Sequence, residues 1–523
     1  MPKQLSEKKR KWIERTVGQD RRYKLLVYNR VFLCALFIAL QAGVFLLLLS
    51  YLGAYAAIVQ AFFSVAAAIF VLFLAGREKR RPTRVLWIIL ILAMPIVGVA
   101  LYFFYGGSKS GAALRKGYAQ AAQTLGQAPM EEGVQAAASS GRDGAVATVL
   151  GKVGYPAFLQ GDVAYFSTGK QLFEGMKEAL RSAKKFIFLE YFIISGGVLW
   201  DEVKAILLEK AMEGVEIKII YDDFGSLFSL PPKYDEYLES LHENIRCLAF
   251  NKVYPIFMVR YNHRDHRKIL VVDGCVAFTG GLNLADEYVD AKRRFGYWKD
   301  TGVRITGGAV DTFTRIFLST WIAFKEKGLD GGRYLTNQTG GVGDSLILPY
   351  ADGPLDDVSI GEYVYLDMIH RAHRRLWIMT PYLVLDDFLK LALMDAAARG
   401  VDVRIITPGI PDKKMVFRVT RANYSALLKA GVKIYEYTPG FLHAKAVLSD
   451  DCAVVGSINF DYRSLYLHFE NAVYFHSGGA IADLERDFLE TCAVSWVRTL
   501  QNTKRTFFGR MCDTLLRLFE PLL

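Results

Sequence analysis

The sequence predicts an α/β protein of two similar lobes, each a mixed sheet flanked by helices, behind an N-terminal transmembrane helical region. Three observations support this prediction. A short motif occurs twice, strand and helix patterns alternate around each copy, and a long uncharged stretch lies near the N-terminus. Strands that alternate with helices, in two successive copies, imply two α/β lobes.

The N-terminal region is apolar over much of its length. Residues 31–75 contain no charged side chain, about twice the roughly 20 residues that one helix needs to cross a bilayer. The stretch predicts two membrane spans, 31–49 and 54–74. A third apolar run at 85–105 contains Pro95, a residue that can kink a helix. We expect about three transmembrane helices here.

Charge is distributed unevenly along the chain. The net charge is +11, and residues 1–84 account for it with fifteen Lys or Arg against four Asp or Glu. The other residues hold 49 of the 64 basic and 49 of the 53 acidic side chains, so this part is formally neutral. Nucleic-acid binding favours a broad basic face. We therefore expect no nucleic-acid partner.

The basic residues also predict the orientation of the spans. Ten Lys or Arg precede the first span and five lie in the loop 77–84, whereas the loop at 50–54 has none. Basic loops stay in the cytoplasm, so we expect the N-terminus and loop 77–84 there. A full third span would place the lobes on the outer face of the cell membrane. A re-entrant loop at Pro95 would return them to the cytoplasm.

The predicted organisation has six parts. A Gly- and Ala-rich tether follows the membrane region, and the last segment mixes basic and apolar residues as an amphipathic helix does. That segment is compatible with the membrane surface and with packing on the second lobe. The parts are the basic cytoplasmic N-terminus 1–30, the transmembrane region 31–105, the tether 106–151, the first lobe 152–340, the second lobe 341–500 and the amphipathic C-terminal segment 501–523.

One motif occurs twice in matching context: a histidine, any residue, a lysine, four residues and an aspartate. The two histidines are 177 residues apart in a chain with only eight histidines, which argues against chance. A glycine and then an asparagine follow each copy, with Asn283 after the first and Asn459 after the second. The copies are His266, Lys268 and Asp273, and His443, Lys445 and Asp450.

These residue types suit the cleavage of a phosphodiester. A neutral imidazole is a nucleophile and a protonated one is a general acid, so one can attack phosphorus while the other protonates the leaving alkoxide. Two lysines and two asparagines supply positive charge and donors to the phosphoryl oxygens. We expect no metal and no cofactor, because the chain lacks a metal-binding pattern and His263, near His266, has no further ligands beside it.

Strand alternation separates the roles within the motif. Residues 269–272 predict a buried strand that ends in a turn at Asp273. His266 and Lys268 project to one side of this strand, and Asp273, an odd number of residues from both, does not. Asp273 and Asp450 are counted with the catalytic motif, yet we expect them to hold turns.

Other carboxylates are better placed to orient the imidazoles. Asp300 precedes an apolar strand in the first lobe, and Glu470 precedes one in the second. A carboxylate that accepts the second ring N–H fixes the tautomer and stabilises the imidazolium. Glu190 ends a hydrophobic strand, where an unpaired carboxylate is costly to bury. We expect it to face the cleft and to partner a His or Lys.

The repeat extends beyond the motif. Residues 179–192 and 370–383 both predict a helix end that runs into a buried strand. Residues 211–220 and 397–406 both predict a helix closed by glycine and followed by a strand. Each lobe carries one motif, so the active site is expected in the cleft between the lobes.

The two motifs resemble the paired HKD motifs of the phospholipase D superfamily. From about residue 85 to the C-terminus, the chain is similar to bacterial cardiolipin synthases of this type, in the Gram-positive branch. Ser457 is a mild departure, since Thr is common there. The segments that carry the resemblance are 188–193, 298–301, 380–382, 460–464 and 521–523.

The resemblance implies a phosphatidyltransferase that condenses two phosphatidylglycerols into cardiolipin and glycerol through a phosphohistidine. It implies that His266 attacks the donor phosphorus and that His443 protonates the leaving glycerol, then deprotonates the incoming lipid hydroxyl. The implied partners of this membrane-embedded enzyme are phosphatidylglycerol and anionic membrane lipids, and a homo-oligomer stays open. The alternatives are a hydrolytic phospholipase D or nuclease that uses water, and an inactive scaffold, against which the intact motifs argue.

Overall fold

The structure, a computed structural model, contains two mixed sheets, one in each predicted lobe. The α/β prediction with two lobes is thereby confirmed. The structure describes residues 56–76, 84–94, 112–126, 132–140, 143–253, 263–336, 345–356, 358–503 and 506–517, and isolated residues elsewhere.

Five described helices precede the first strand. Among the described residues, no helix has both the length and the hydropathy required to cross a membrane. One of the five ends at Ala93, two residues before Pro95, which cannot continue a helix hydrogen-bond ladder. Most of the predicted span 31–49 lies outside the described residues. The helices are α1 (Ala56–Ala75), α2 (Arg84–Ala93), α3 (Ala112–Leu125), α4 (Glu132–Ser140) and α5 (Gly144–Lys152).

The described part of the predicted tether is helical and packed, which corrects that prediction. Leu114 and Ala121 of α3 are buried in the largest hydrophobic core, and Arg115 donates to the carbonyl of Leu355 at 2.9 Å. Val146 and Leu150 of α5 pack into the core of the second lobe. Small Gly and Ala side chains let these helices approach the lobes closely, so a composition that is typical of linkers here serves packing.

The first lobe is a seven-stranded sheet in the order β1-β9-β7-β6-β2-β3-β4, with β2, β3 and β4 parallel and the other neighbours antiparallel. The elements are β1 (Val163–Phe166), α6 (Gly169–Ser182), β2 (Phe186–Tyr191), α7 (Val198–Met212), β3 (Glu216–Asp222), α8 (Tyr234–Glu239), β4 (Ile245–Phe250), β5 (Arg264–Asp265), β6 (Lys268–Val272), β7 (Val276–Gly280), β8 (Tyr297–Lys299), β9 (Gly302–Thr306) and α9 (Val310–Phe324).

The second lobe repeats this order as β10-β17-β16-β15-β11-β12-β13 and adds β18 at the edge. The motif strand, β6 or β15, occupies the same position in both sheets. The elements are β10 (Leu346–Asp352), α10 (Ile360–Arg371), β11 (Arg375–Met379), α11 (Asp387–Ala398), β12 (Asp402–Pro408), α12 (Lys414–Lys429), β13 (Lys433–Tyr437), β14 (Gly440–Leu442), β15 (Ala446–Ser449), β16 (Cys452–Gly456), α13 (Tyr462–Tyr466), β17 (His468–His476), α14 (Gly478–Ala493), β18 (Ser495–Arg498) and α15 (Phe507–Arg517).

The core explains why the central strands are apolar on both faces. All six residues of β2 are buried, as expected for a strand covered on both sides. One cluster joins the inner faces of both sheets, for example Phe188 and Val271 with Met379 and Leu448. Two further clusters cover the outer faces. The lobes are therefore held together by a shared core.

Helix α15 packs on the second lobe, one of the two arrangements that the sequence allowed. Arg418 of α12 donates to Asp513 at 2.7 Å, and Leu516 packs beside Val416 and Val419. The opposite side of the helix exposes apolar side chains, and Phe508 is 72 % exposed.

Candidate active site

Two short strand pairings cross from one lobe to the other. Strand β5 of the first lobe pairs with the start of β17, and the backbone N–H of His266 donates to the carbonyl of Phe469 at 2.8 Å. Strand β14 of the second lobe pairs with β8, and the N–H of His443 donates to the carbonyl of Lys299 at 2.7 Å. Each motif histidine therefore lies beside the residue that follows its backbone hydrogen-bond partner in the other lobe.

That residue is a carboxylate in both cases. Nδ1 of His266 lies 2.9 Å from both carboxylate oxygens of Glu470, and Nδ1 of His443 lies 2.7 Å from Oδ2 of Asp300. Both carboxylates are fully buried. Ser457 donates to Glu470 at 2.5 Å. The two carboxylates singled out in the sequence do contact the imidazoles, and each serves the histidine of the opposite lobe.

The motif lysines lie beside their histidines. Nζ of Lys268 donates to the carbonyl of His266 at 2.5 Å, and Nζ of Lys445 does the same to His443. Burial lowers the pKa of Lys268 to about 7, although Glu470 opposes this effect, and it lowers the pKa of Lys445 to about 8. An anionic phosphodiester would favour the charged form of both lysines.

Both imidazoles are neutral at neutral pH. Burial, and then the charge of Lys268, holds the pKa of His266 well below its usual value. Burial and Lys445 lower the pKa of His443 to about 4, although Asp300 opposes them. Lys445 and His443 also lower the pKa of His266, so the two motifs lie close enough to interact electrostatically. A neutral imidazole has the free lone pair that a nucleophile needs.

Asp273 and Asp450, which were counted with the catalytic motif, lie at the far ends of their strands from the motif histidines. Both have left-handed backbone, with φ of 56° and 49°. Asp273 accepts from three successive backbone N–H groups at residues 184–186, and Asp450 accepts from those at 373–375. Each aspartate joins a turn to the neighbouring strand, as strand alternation predicted.

The two asparagines that follow the motifs have different surroundings. Asn283 accepts from the N–H of Ile193 at 3.1 Å and donates to the hydroxyl of Tyr288 at 2.7 Å, and the Tyr288 ring lies edge-on to His443 at 5.3 Å. Asn459 is 5 % exposed, and its Oδ1 has no hydrogen-bond partner in the described part of the chain. Asn283 thus contacts Tyr288, whose ring lies beside the imidazole of His443.

Glu190 does not partner a motif histidine or lysine, which corrects the expectation from the sequence. It is fully buried, 3.4 Å from Arg267, on the face of β2 that packs in the shared core. Arg267 also donates to Thr320 and Tyr118 at 3.1 Å. The buried carboxylate of Glu190 did need a partner, but that partner is Arg267, the residue between the motif histidine and lysine.

Sequence reasoning missed two residues of the site. Asn471 accepts from the N–H of Lys268 at 3.2 Å and donates to Thr279 at 2.7 Å, so it connects the two motif sheets. The ring of His468 lies 5.5 Å from that of His266. Both lie close to Glu470 in the sequence. Because His468 is two residues from Glu470 on one strand, the sequence could have predicted that the two side chains share a face.

Comparison with known proteins decides the family. The sequence matches the family model described as "Cardiolipin synthase, PLD-like domain" over residues 176–321 and 365–492, more than half of the chain. The chain belongs to the cardiolipin synthase family. A second model, described as "Phospholipase_D-nuclease N-terminal", matches residues 62–107.

Similar cardiolipin synthases come from several bacteria. Those of Alkalihalophilus pseudofirmus and Geobacillus kaustophilus are each 34 % identical to this chain; the alignments cover 85 % and 87 % of this chain, and 90 % and 92 % of theirs. An uncharacterized protein of Streptococcus mutans is 42 % identical and aligns over 87 % of this chain and 99 % of its own. The phosphatidylserine synthase of Haemophilus influenzae shares the fold, with a TM-score of 0.53 at 15 % identity over 70 % of this chain and 95 % of its own.

Proposed function

We propose that this protein is a cardiolipin synthase, which transfers a phosphatidyl group from one phosphatidylglycerol to another and releases glycerol. The observation that carries the proposal is the pair of histidine–carboxylate contacts, His266 with Glu470 and His443 with Asp300, in one site. A phosphodiester exchange needs one imidazole that attacks and one that moves protons. The family, whose named members are cardiolipin synthases, supports a lipid substrate.

In the first step, Nε2 of His266 attacks the donor phosphorus, and the bond from phosphorus to glycerol oxygen breaks. Glu470 accepts the Nδ1–H of His266, which leaves the Nε2 lone pair free and stabilises the positive charge on the phosphorylated ring. His443 gives its Nε2 proton to the departing glycerol. The bound phosphodiester anion favours the protonated form of His443 that this step requires.

In the second step, His443 takes the proton of the incoming phosphatidylglycerol hydroxyl, and that oxygen attacks phosphorus. The bond from phosphorus to His266 breaks, which forms cardiolipin and restores both imidazoles. Lys268 and Lys445 neutralise the charge that develops on the phosphoryl oxygens, and Asn283 and Asn459 are proposed to donate to them. The order of the histidines follows the family resemblance, because the site itself is nearly symmetric.

The N-terminal region is proposed to hold the enzyme at the membrane, with the lobes on its outer face. The support is the apolar and basic sequence before residue 105 and the match of residues 62–107 to the N-terminal family model. The chemistry needs no nucleotide, so nothing in the mechanism requires a cytoplasmic site.

Product analysis tests the transfer. Purified enzyme is incubated with phosphatidylglycerol alone, and the lipids are separated and identified. We expect cardiolipin and glycerol in equal amounts, both absent with His266→Ala. Phosphatidic acid and glycerol without cardiolipin would instead assign the hydrolytic alternative, in which water takes the place of the acceptor lipid.

A further inference from the structure

His468 lies beside the proposed nucleophile but takes no part in the two steps above. It stands two residues before Glu470 on β17, so both side chains leave the same face of the strand. Phe192 contacts both histidine rings, edge-on to His266 at 5.0 Å and stacked with His468 at 6.5 Å. Nδ1 of His468 has no hydrogen-bond partner among the described residues, and the side chain is 11 % exposed.

Three donor atoms converge at this point. His266, His468 and Glu470 each present one, and the three lie within 4.8 Å of one another. Oε1 of Glu470 is 2.9 Å from Nδ1 of His266 and 3.9 Å from Nδ1 of His468. Ligands about 2.0–2.2 Å from a tetrahedral zinc ion lie about 3.3–3.6 Å apart, so the two Glu470 separations need to change by about half an ångström, and no donor pair is farther apart than 4.8 Å.

The donor set selects the kind of ion. Two imidazoles and one carboxylate are ligands typical of zinc and of other divalent transition metals, whereas magnesium and calcium prefer oxygen ligands alone. Lys268 brings an opposing positive charge into the site, and the Glu470 carboxylate compensates it. Arg463, Lys413 and Arg264 also act electrostatically on His468, so the donor set selects an ion by its preference for nitrogen ligands and not by the charge around it.

We propose that His266, His468 and Glu470 form a binding site for a divalent transition metal ion, principally zinc, and that the bound ion blocks the transfer reaction. The second part of this proposal, that the ion blocks the transfer, rests on the proposed function. A metal on Nδ1 of His266 takes the position of the Nδ1 proton, and that proton moves to Nε2. The lone pair that would attack phosphorus is then used for an N–H bond, and Glu470 coordinates the ion.

Cobalt(II) binding tests the site independently of activity. Full-length protein in detergent micelles is titrated with cobalt(II), and the visible absorption of the bound ion is recorded. We expect saturation at one equivalent, at least tenfold weaker binding by His468→Ala and by His468→Gln, and unchanged binding by His476→Ala. His476 lies at the far end of the same strand and is the matched control. The thermal unfolding of every variant is measured alongside.

Zinc inhibition tests the consequence. We expect zinc to displace cobalt and to inhibit the wild type at concentrations at least tenfold lower than those that inhibit His468→Gln. Equal cobalt binding by the wild type and both His468 variants, or none by the wild type, would overturn the site. Cobalt binding without zinc inhibition would overturn the blocking mechanism. An intact cobalt spectrum in a protein that makes no cardiolipin would count against the proposed function and leave the metal site standing.

Discussion

Glu470 of the second lobe lies 2.9 Å from Nδ1 of His266 in the first lobe. Asp300 of the first lobe makes the reciprocal contact with His443 of the second, at 2.7 Å. The exchange follows from the two short strand pairings that cross between the lobes. Neither lobe alone contains a histidine with its carboxylate, so catalysis depends on the relative placement of both.

The order of the two histidines can be decided by trapping the intermediate. Incubation with phosphatidylglycerol labelled in its phosphate should give a protein-bound label that His266→Ala lacks. His443→Ala should retain the label and turn it over slowly, because the acid and base is missing while the nucleophile is intact. The label is measured after rapid acid-free denaturation. An adduct kept in His266→Ala and lost in His443→Ala would reverse the roles.

The carboxylates of the site should matter for turnover. Glu470→Gln and Asp300→Asn are expected to lower the turnover number by roughly 10²–10⁴-fold, since each leaves an imidazole without the partner that fixes its tautomer. Steady-state cardiolipin formation measures this. Near-normal turnover in either variant would show that the contact does not orient the histidine.

The turn aspartates provide the contrasting case. Asp273→Asn and Asp450→Asn weaken three charge-assisted bonds to backbone N–H groups, and we expect a loss of about 1–3 kcal/mol in the free energy of unfolding. Turnover per folded molecule should stay near that of the wild type. Chemical denaturation and activity are measured on the same samples. A stable but inactive Asp273→Asn protein would contradict the framework role.

Burial of His443 should make stability depend on pH. Its pKa is about 4 in the folded protein and near 6.5 when unfolded, so between these values only the unfolded chain binds the proton. The free energy of unfolding should therefore fall as the pH drops from 6.5 to 4, with no contribution above 6.5. Relative to His443→Asn, the wild type should lose about 2–3 kcal/mol between pH 7 and pH 4.5 in urea denaturation. Parallel curves for the two proteins would contradict this.

The buried pair of Glu190 and Arg267 should be structural. Arg267→Met leaves the Asp265 carboxylate without this cation and removes the bonds to Thr320 and Tyr118, and we expect destabilisation of about 3–5 kcal/mol. Burial raises the pKa of Glu190 well above its usual value, so Glu190→Gln should change stability little and leave turnover unchanged. Denaturation curves and cardiolipin formation check both. Loss of activity in a stable Glu190→Gln protein would instead support a role of Glu190 in the active-site cleft.

The proposed topology is open to labelling in intact cells. A single cysteine placed in loop 77–84 of a cysteine-free variant should react with a membrane-impermeant maleimide only after lysis. A single cysteine at Ser182 in the first lobe should react before lysis if the lobes are external. Protection of the lobe cysteine until the cells are broken would place the lobes in the cytoplasm.

Local patterns reached much of the fold and the site because strand alternation and helix endings are local. They predicted the two sheets, the turn role of Asp273 and the use of Asp300 and Glu470. They did not predict which histidine each carboxylate serves, since that depends on contacts between residues 204 and 143 positions apart. The prediction of a tether failed for a similar reason. Helix α3 is stabilised by packing in the shared core, and the composition of the helix alone does not reveal that packing.

The reciprocal contacts have the form of a two-fold symmetric interface. In such an interface, residue i of one half contacts residue j of the other, and residue j of the first half contacts residue i of the second. A protein with one such lobe would possess a histidine and a carboxylate that cannot reach each other, and two copies joined about a two-fold axis would complete both pairs at once. A homodimer must keep its halves identical. Once both halves lie on one polypeptide, each can mutate alone, and this freedom lets His468 stand two residues before Glu470 while Trp298, at the corresponding position before Asp300, lies with its ring 5.8 Å from that of His443.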